Sequence, residues 1–93
     1  MEDKITKEKL EKYRGLTSKA FSIAKTSIVK TKLKQANEII QMVSNYLFDA
    51  KYFEQKGDFV NAFAALNYAH GWLDSGVRLG IFNVKDDRLF TVK

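Results

Sequence analysis

The side chains best suited to chemistry lie in one short stretch, NYAHGWLDSG, at residues 67–76, which holds the only histidine and the only tryptophan of the chain. On a helix, His70 and Asp74 are four residues apart and Asn67 and His70 are three apart, so their side chains can meet. A carboxylate that orients an imidazole can prepare it to act as a general base near neutral pH. With a second carboxylate, the same imidazole could ligate a metal ion.

A second helix would complete this group of polar side chains. If the chain folds back at Gly57 as an antiparallel helical hairpin, residues 45–49 come alongside residues 67–70. The candidate ligand or partner residues are therefore Asn45, Asp49, Asn67, His70 and Asp74, with Tyr46 nearby.

A structural role explains the same residues. Polar side chains at the border of a core satisfy one another's hydrogen bonds and fix the register of two helices. The chain has no second histidine, no cysteine, no serine nucleophile motif and no glycine-rich phosphate loop. We therefore favour the structural role over a ligand site, and a ligand site over catalysis. We expect no enzyme activity, no cofactor and no metal.

Three helices are predicted to position these residues, because the chain has no proline and few glycines to interrupt them. We expect them over about 6–27, 32–56 and 59–79, with a break in the β-branched stretch 26–31. Thr6 and Asp58 suit N-caps, and Gly57 suits the left-handed position that ends the second helix. The first helix has an apolar stripe at three- and four-residue spacing: Leu10, Tyr13, Leu16, Ala20 and Ile23.

The third helix is expected to be central. Residues 59–73 carry no formally charged side chain, whereas an outer helix would carry charge on its wet face. Its small residues fall in one narrow sector of the helical wheel, which suits close packing: Ala62, Ala69, Gly76 and Gly80. The tail, residues 81–93, holds two apolar tetrads around a charged turn, which predicts a small hairpin or a strap that leans on the helices or on another chain.

The chain has more aromatic side chains than three helices can bury. The candidate interface residues are Phe48, Tyr52, Tyr68 and Trp72. Trp72 could instead belong to the core, covered by the first helix. A surplus of apolar surface favours self-association, and we expect a homodimer.

Basic charge is concentrated near the N-terminus. Residues 1–34 carry ten Lys or Arg and four Asp or Glu, whereas residues 35–93 carry six and seven. A basic segment can follow a phosphate backbone through counterion release, which makes Lys25, Lys30, Lys32 and Lys34 candidate nucleic-acid contacts. A solvated, lysine-rich helix face explains the same charges, and lysine is a poorer phosphate fork than arginine.

Composition and length limit the classes to which the protein can belong. Ninety-three residues suit a single domain, 1–93. The lack of cysteine excludes disulfides and fits a reducing compartment. Residues 1–14 lack the apolar core of a signal peptide, and no run approaches the ~18 apolar residues of a membrane span. We expect a cytoplasmic protein with no membrane partner.

One set of residues along the hairpin forms a recognisable pattern: Tyr46, Asp49, Ala50, Tyr52, Phe53, Gly57, Asp58, Ala62, Phe63, Tyr68, Ala69, His70, Gly71 and Asp74. The pattern resembles an archaeal family of short helical proteins known as domain of unknown function family 357. The resemblance is detailed over residues 46–80 and loose over the first helix. It implies a small helical bundle and an archaeal cytoplasmic origin, and it implies no activity.

Two more distant likenesses point elsewhere. Residues 50–62 look like one unit of a tetratricopeptide repeat, but that architecture needs about three stacked units and the chain has no second copy. The hairpin also looks like the helical pair of HEPN domains, several of which are ribonucleases with an arginine four to six residues before a histidine. Residues 61–69 contain no arginine, so we do not expect RNA cleavage.

The sequence thus predicts an all-α fold, a small antiparallel bundle of three main helices with a central third helix and a short C-terminal strap or hairpin. The function we favour is a protein–protein interaction or self-association module. The alternatives are a basic accessory protein that binds nucleic acid, and a small-ligand or catalytic bundle centred on His70.

Overall fold

The computed structural model describes residues 4–90 of the chain. Three α-helices dominate it: α1 (Lys7–Lys25), α2 (Leu33–Gln55) and α3 (Phe59–Arg78). A single 3-10 turn, Lys30–Lys32, leads into α2, and residues 4–90 contain no β-strand. The predicted all-α bundle is confirmed. Residues 1–3 and 91–93, which the predicted domain and tail include, lie outside the described residues.

Local side-chain and backbone preferences set the helix boundaries. The Thr6 hydroxyl accepts a hydrogen bond from the backbone N–H of Lys9 at 3.1 Å and caps α1. Asp58 caps α3 in the same way, accepting from the N–H of Asn61 at 3.1 Å. Between α2 and α3, Gly57 has a φ of +76°, a left-handed conformation that glycine adopts without steric cost. This tight connection makes α2 and α3 an antiparallel hairpin.

The chain breaks between α1 and α2 because side-chain hydroxyls compete for the end of the helix. The hydroxyls of Thr26 and Ser27 both donate to the carbonyl oxygen of Ile23, at 3.0 and 2.7 Å. Ile28 then forms an isolated antiparallel bridge with Phe82 of the tail. The connection between α1 and α2 therefore pairs with the tail before α2 begins.

The third helix is central, as its lack of charge predicts. It packs extensively against α2 and also against α1, whereas α1 and α2 hardly touch. Its buried face consists mostly of small residues and leucine: Ala62, Ala65, Leu66, Ala69, Leu73 and Gly76.

The face that α1 buries is rotated from the predicted stripe. Leu10 and Ala20 are buried as expected, but Tyr13 and Leu16 are 37% and 38% exposed. The other buried positions of α1 are Thr17 and Ala24, which follow Leu10 at seven-residue spacing. Small side chains let α1 approach α3 closely, and the larger Tyr13 and Leu16 lie beside that contact.

The tail crosses the bundle as a strap. Its apolar side chains complete the core that α2 and α3 leave open, and four of them are buried: Ile81, Phe82, Leu89 and Phe90. The ring of Phe82 lies so close to Gly76 that a Cβ added to this glycine would be 2.4 Å from Phe82 Cε2. The close approach predicted at Gly76 is thus made by an aromatic ring of the tail. No helix within residues 4–90 is both long and apolar enough to span a membrane.

Candidate functional site

His70 lies in a cleft where α1, α3 and the tail meet. The cleft has a volume of about 370 Å³ and is lined by Tyr13, Leu16, Thr17, Asn67, His70, Gly71, Asp74, Arg88 and Leu89. Tyr13 in its wall also packs edge-on against Phe63, with the ring centroids 4.9 Å apart. Three separate segments of the chain therefore build its walls.

Both ring nitrogens of His70 have partners. Nε2 lies 2.6 Å from the carbonyl oxygen of Leu89, and Nδ1 lies 3.1 Å from the hydroxyl oxygen of Thr17. A carbonyl oxygen can only accept, so Nε2 carries a proton and donates it. In the neutral ring Nδ1 is then the acceptor and the Thr17 hydroxyl is the donor. The imidazole thus ties α1 and the tail to α3.

This arrangement leaves the imidazole little capacity to act on a ligand. Thr17 is 2% exposed, so its hydroxyl has little access to water. It therefore depends on His70 for its hydrogen bond. Among residues 4–90, every buried side-chain nitrogen or oxygen has a hydrogen-bond partner. The same part of the chain contains no group of three His, Cys, Asp or Glu residues placed to hold a metal ion.

The cleft brings together three of the five candidate ligand or partner residues. Asn67, His70 and Asp74 line it, whereas Asn45 and Asp49 are exposed on α2 and do not. Asn45 instead accepts a hydrogen bond from Gln41, one turn earlier on the same helix. The hairpin does bring Tyr46 of α2 against Tyr68 of α3, but Asn45 and Asp49 do not line the cleft of His70, which lies between α3, α1 and the tail.

A second surface lies between α2 and α3 on the other side of the hairpin. It is an open groove of about 800 Å³, lined by five apolar side chains and five polar or charged ones. We call it the apolar groove and define it by Ile39, Met42, Trp72, Leu79 and Ile81, with a polar rim from residues 34–41 of α2. On α3, Trp72 lies about 200° around the helix axis from both His70 and Asp74. The groove and the cleft are therefore separate sites.

The candidate interface residues are all exposed, but they divide between two faces of the hairpin. Trp72 is 38% exposed and lines the apolar groove, so α1 does not cover it. Tyr68 precedes it by one turn and stacks on Tyr46 of α2, with ring centroids 5.4 Å apart. Phe48 and Tyr52 are 73% and 50% exposed on α2, and neither lines the groove.

The candidate nucleic-acid contacts lie around the connection between α1 and α2. Lys25 is in the last turn of α1, with its ammonium 4.4 Å from the centroid of the Phe21 ring. Lys30 and Lys32 belong to the 3-10 turn, and Lys34 lies in the first turn of α2 at the rim of the apolar groove. All four are exposed.

Sequence reasoning missed the two partners of His70 and one ion pair. Thr17 carried a signal, since it lies seven residues from both Leu10 and Ala24 and so shares their buried face. The carbonyl of Leu89 carried none, because any residue of the tail offers the same group. Arg14 forms a salt bridge with Glu54 across forty residues, and it joins α1 to the end of α2.

Comparison with known proteins identifies a family without assigning an activity. Residues 4–82 match the family model described as "Protein of unknown function (DUF357)", which covers most of the helical bundle. No curated protein and no solved structure matches the chain. The matched region includes the cleft's histidine, both helices of the hairpin and the start of the tail, and the chain belongs to the DUF357 family.

Proposed function

We propose that this protein is a self-associating interaction module in which two copies join through the apolar groove. The observation that supports this most directly is the groove itself: an open apolar surface bounded by Met42, Trp72 and Leu79 on one side of the hairpin. Leu79 is 71% exposed at its edge. Contiguous apolar surfaces of this kind mark interaction sites.

The accessible surface of the chain is larger than that of a compact monomer of the same mass. The chain exposes 6488 Å², whereas a compact monomer of 10.7 kDa exposes about 5500 Å². The difference, about 1000 Å², is of the same order as the ~800 Å² that each partner contributes to a standard interface. An excess of this size matches what one copy would bury in a contact with another.

The shape of the molecule agrees with this. The Cα atoms extend over 41 × 24 × 16 Å, and the radius of gyration is 13.6 Å, against about 12.3 Å for a compact domain of 93 residues. The cleft of His70 is lined from α1, α3 and the tail, whereas the apolar groove is lined from α2, α3 and Ile81 and receives no side chain from α1. In a symmetric dimer, the same groove on each copy would supply the missing layer.

The cleft around His70 supports a structural role better than catalysis. Both nitrogens of the imidazole are bound within the fold, and one partner is a buried hydroxyl. A base that must accept a substrate proton needs a free nitrogen. We therefore propose a binding protein and assign His70 to the architecture of the bundle.

Light scattering and sedimentation equilibrium of the parent chain test the proposal. We expect dimer mass at high concentration and dissociation on dilution. Leu79→Glu should shift the equilibrium to monomer, because it places a charge at the edge of the apolar groove. Trp72→Ala should act in the same direction by removing the largest side chain of the groove.

Val60→Glu is the matched control. Val60 is 65% exposed at the other end of α3 and does not line the groove, so the same charge there should leave the mass unchanged. A parent chain that stays monomeric at every concentration would overturn the proposal. Equal dissociation by Leu79→Glu and Val60→Glu would overturn the assignment to the groove.

A further inference from the structure

A long acid-free segment joins α1 to α2. Residues 12–37 contain six lysines and one arginine and no aspartate or glutamate. The arginine, Arg14, forms a salt bridge with Glu54, so the six lysines are the other basic side chains of this segment. We call them the basic band and define it as Lys12, Lys19, Lys25, Lys30, Lys32 and Lys34. All six are exposed.

The band runs along α1 and through the connection into the start of α2. On α1, Lys12 and Lys19 lie in the same stripe as Ser22 and Thr26, at intervals of three, four or seven residues, and all four are exposed. This stripe is about 21 Å long at 1.5 Å per residue. Lys30 and Lys32 follow in the 3-10 turn and Lys34 in the first turn of α2, whereas Lys25 lies about 120° around α1 from Lys19. Exposed lysines spread over this length suit an extended polyanion.

The side chains between the lysines indicate which class of polyanion the basic band binds. The exposed residues from 18 to 35 other than lysine are hydroxyl or amide side chains, with Leu33 as the one large apolar exception: Ser18, Ser22, Thr26, Thr31, Leu33 and Gln35. Hydroxyl and amide groups are the usual partners of phosphate and sugar oxygens beside lysine. A helix that lies on a membrane needs an apolar face opposite its lysines, and this stretch exposes no such face.

We propose that the basic band binds the phosphate backbone of a nucleic acid without reading its sequence. Lysine acts as a point charge on phosphate and gives little base discrimination, so the binding is driven by counterion release. The surface is separate from the His70 cleft, and it meets the apolar groove only at Lys34. This proposal is therefore independent of the proposed self-association.

Fluorescence anisotropy with a labelled, mixed-sequence single-stranded RNA tests the proposal. We expect binding at low salt that weakens with a log–log slope of about −4 if all six lysines neutralise phosphates. A duplex DNA probe should also bind, because both backbones offer the same phosphates. The variant Lys19→Gln, Lys30→Gln, Lys32→Gln should bind at least about tenfold more weakly, with the slope reduced to about −2. Lys34 is kept, so that the apolar groove is unchanged.

The matched control removes the same charge elsewhere. The variant Lys51→Gln, Lys56→Gln, Lys85→Gln has the same net charge, and all three positions are exposed outside the basic band. It should bind the RNA within about twofold of the parent chain. The variant Lys19→Arg, Lys30→Arg, Lys32→Arg should restore binding, which separates lost charge from lost folding.

Three outcomes would overturn the proposal. One is no binding of RNA or DNA by the parent chain at low salt. Another is an equal loss of binding in the two glutamine variants, which would show attraction by net charge alone. The third is binding to phosphatidylserine vesicles or polyglutamate that is tighter than binding to the RNA, which would assign the band to a membrane or an acidic protein.

Discussion

The Nε2–H of His70 donates a hydrogen bond of 2.6 Å to the carbonyl oxygen of Leu89, nineteen residues further along the chain. On the other side of the ring, Nδ1 lies 3.1 Å from the hydroxyl of Thr17 in α1. One imidazole therefore links the first helix, the third helix and the tail. The side chain best suited to chemistry in the sequence therefore joins three segments that are far apart along the chain.

Replacing His70 by alanine should destabilise the protein by about 2 kcal/mol or more, because it leaves the buried Thr17 hydroxyl and the Leu89 carbonyl without a partner. Urea unfolding followed by circular dichroism, at one protein concentration, measures this loss. Asn67→Ala is the control, since Asn67 is exposed on the same side of α3 and should change the stability by less than about 0.5 kcal/mol. Equal stability of His70→Ala and the parent chain would contradict the structural role.

Acid should loosen the turn that presents Leu89 to His70. The Asp86 carboxylate accepts the backbone N–H of Arg88 at 2.9 Å, and this hydrogen bond is the main reason that the pKa of Asp86 is lowered from 3.8. Because folding lowers this pKa, the contribution of the carboxylate is present above pH 3.8 and is lost as the pH falls through the lower, folded value. NMR shifts of the Arg88 and Leu89 amides should therefore titrate with a midpoint below 3.8.

The variant Asp86→Asn isolates that titration. Asparagine keeps an oxygen that can accept from the Arg88 N–H, so the turn should persist while the acid-dependent shift disappears. Asp87→Asn, at the exposed neighbouring position, should leave the Arg88 and Leu89 amide titration in place. A midpoint at or above 3.8 in the parent chain would show that the carboxylate does not hold the turn.

The sequence predicted the helices well because their boundaries depend on local chemistry. Thr6, Gly57 and Asp58 end or begin helices through interactions with residues close to them in the sequence. The observed helix ends lie within two residues of the predicted ones. The central position of α3 was also predictable, since fifteen uncharged residues need cover on more than one side.

The surroundings of His70 depend on how distant segments pack, and a single helical wheel does not contain that information. Asp49 was grouped with His70 because an antiparallel hairpin brings their helices together. The outcome depended on which side of α3 receives α1, and α1 packs there with Ala20 and Ala24 buried. The same choice leaves Trp72 in the apolar groove.

Gly76→Ala should destabilise the protein although it replaces glycine within a helix. A Cβ at this position would lie 2.4 Å from Cε2 and 2.6 Å from Cδ2 of Phe82, and 3.2 Å from Cδ1 of Ile39. Phe82 is 1% exposed, so a shift of its ring must displace the core side chains packed around it. We expect a net loss of about 1–3 kcal/mol in urea unfolding. Phe82→Leu in the Gly76→Ala background should cost less than the two single changes together, because it removes the ring that clashes.

Gly71→Ala is the matched substitution in the same helix, and it should have the opposite sign. A Cβ at Gly71 meets nothing within 4 Å, and the position is exposed. Alanine there should stabilise the protein by about 0.5–1 kcal/mol, because it favours the helix and restricts the unfolded chain. Since the two variants differ only in what faces the new methyl group, a Gly76→Ala protein as stable as Gly71→Ala would show that the Phe82 ring does not pack on α3 as described.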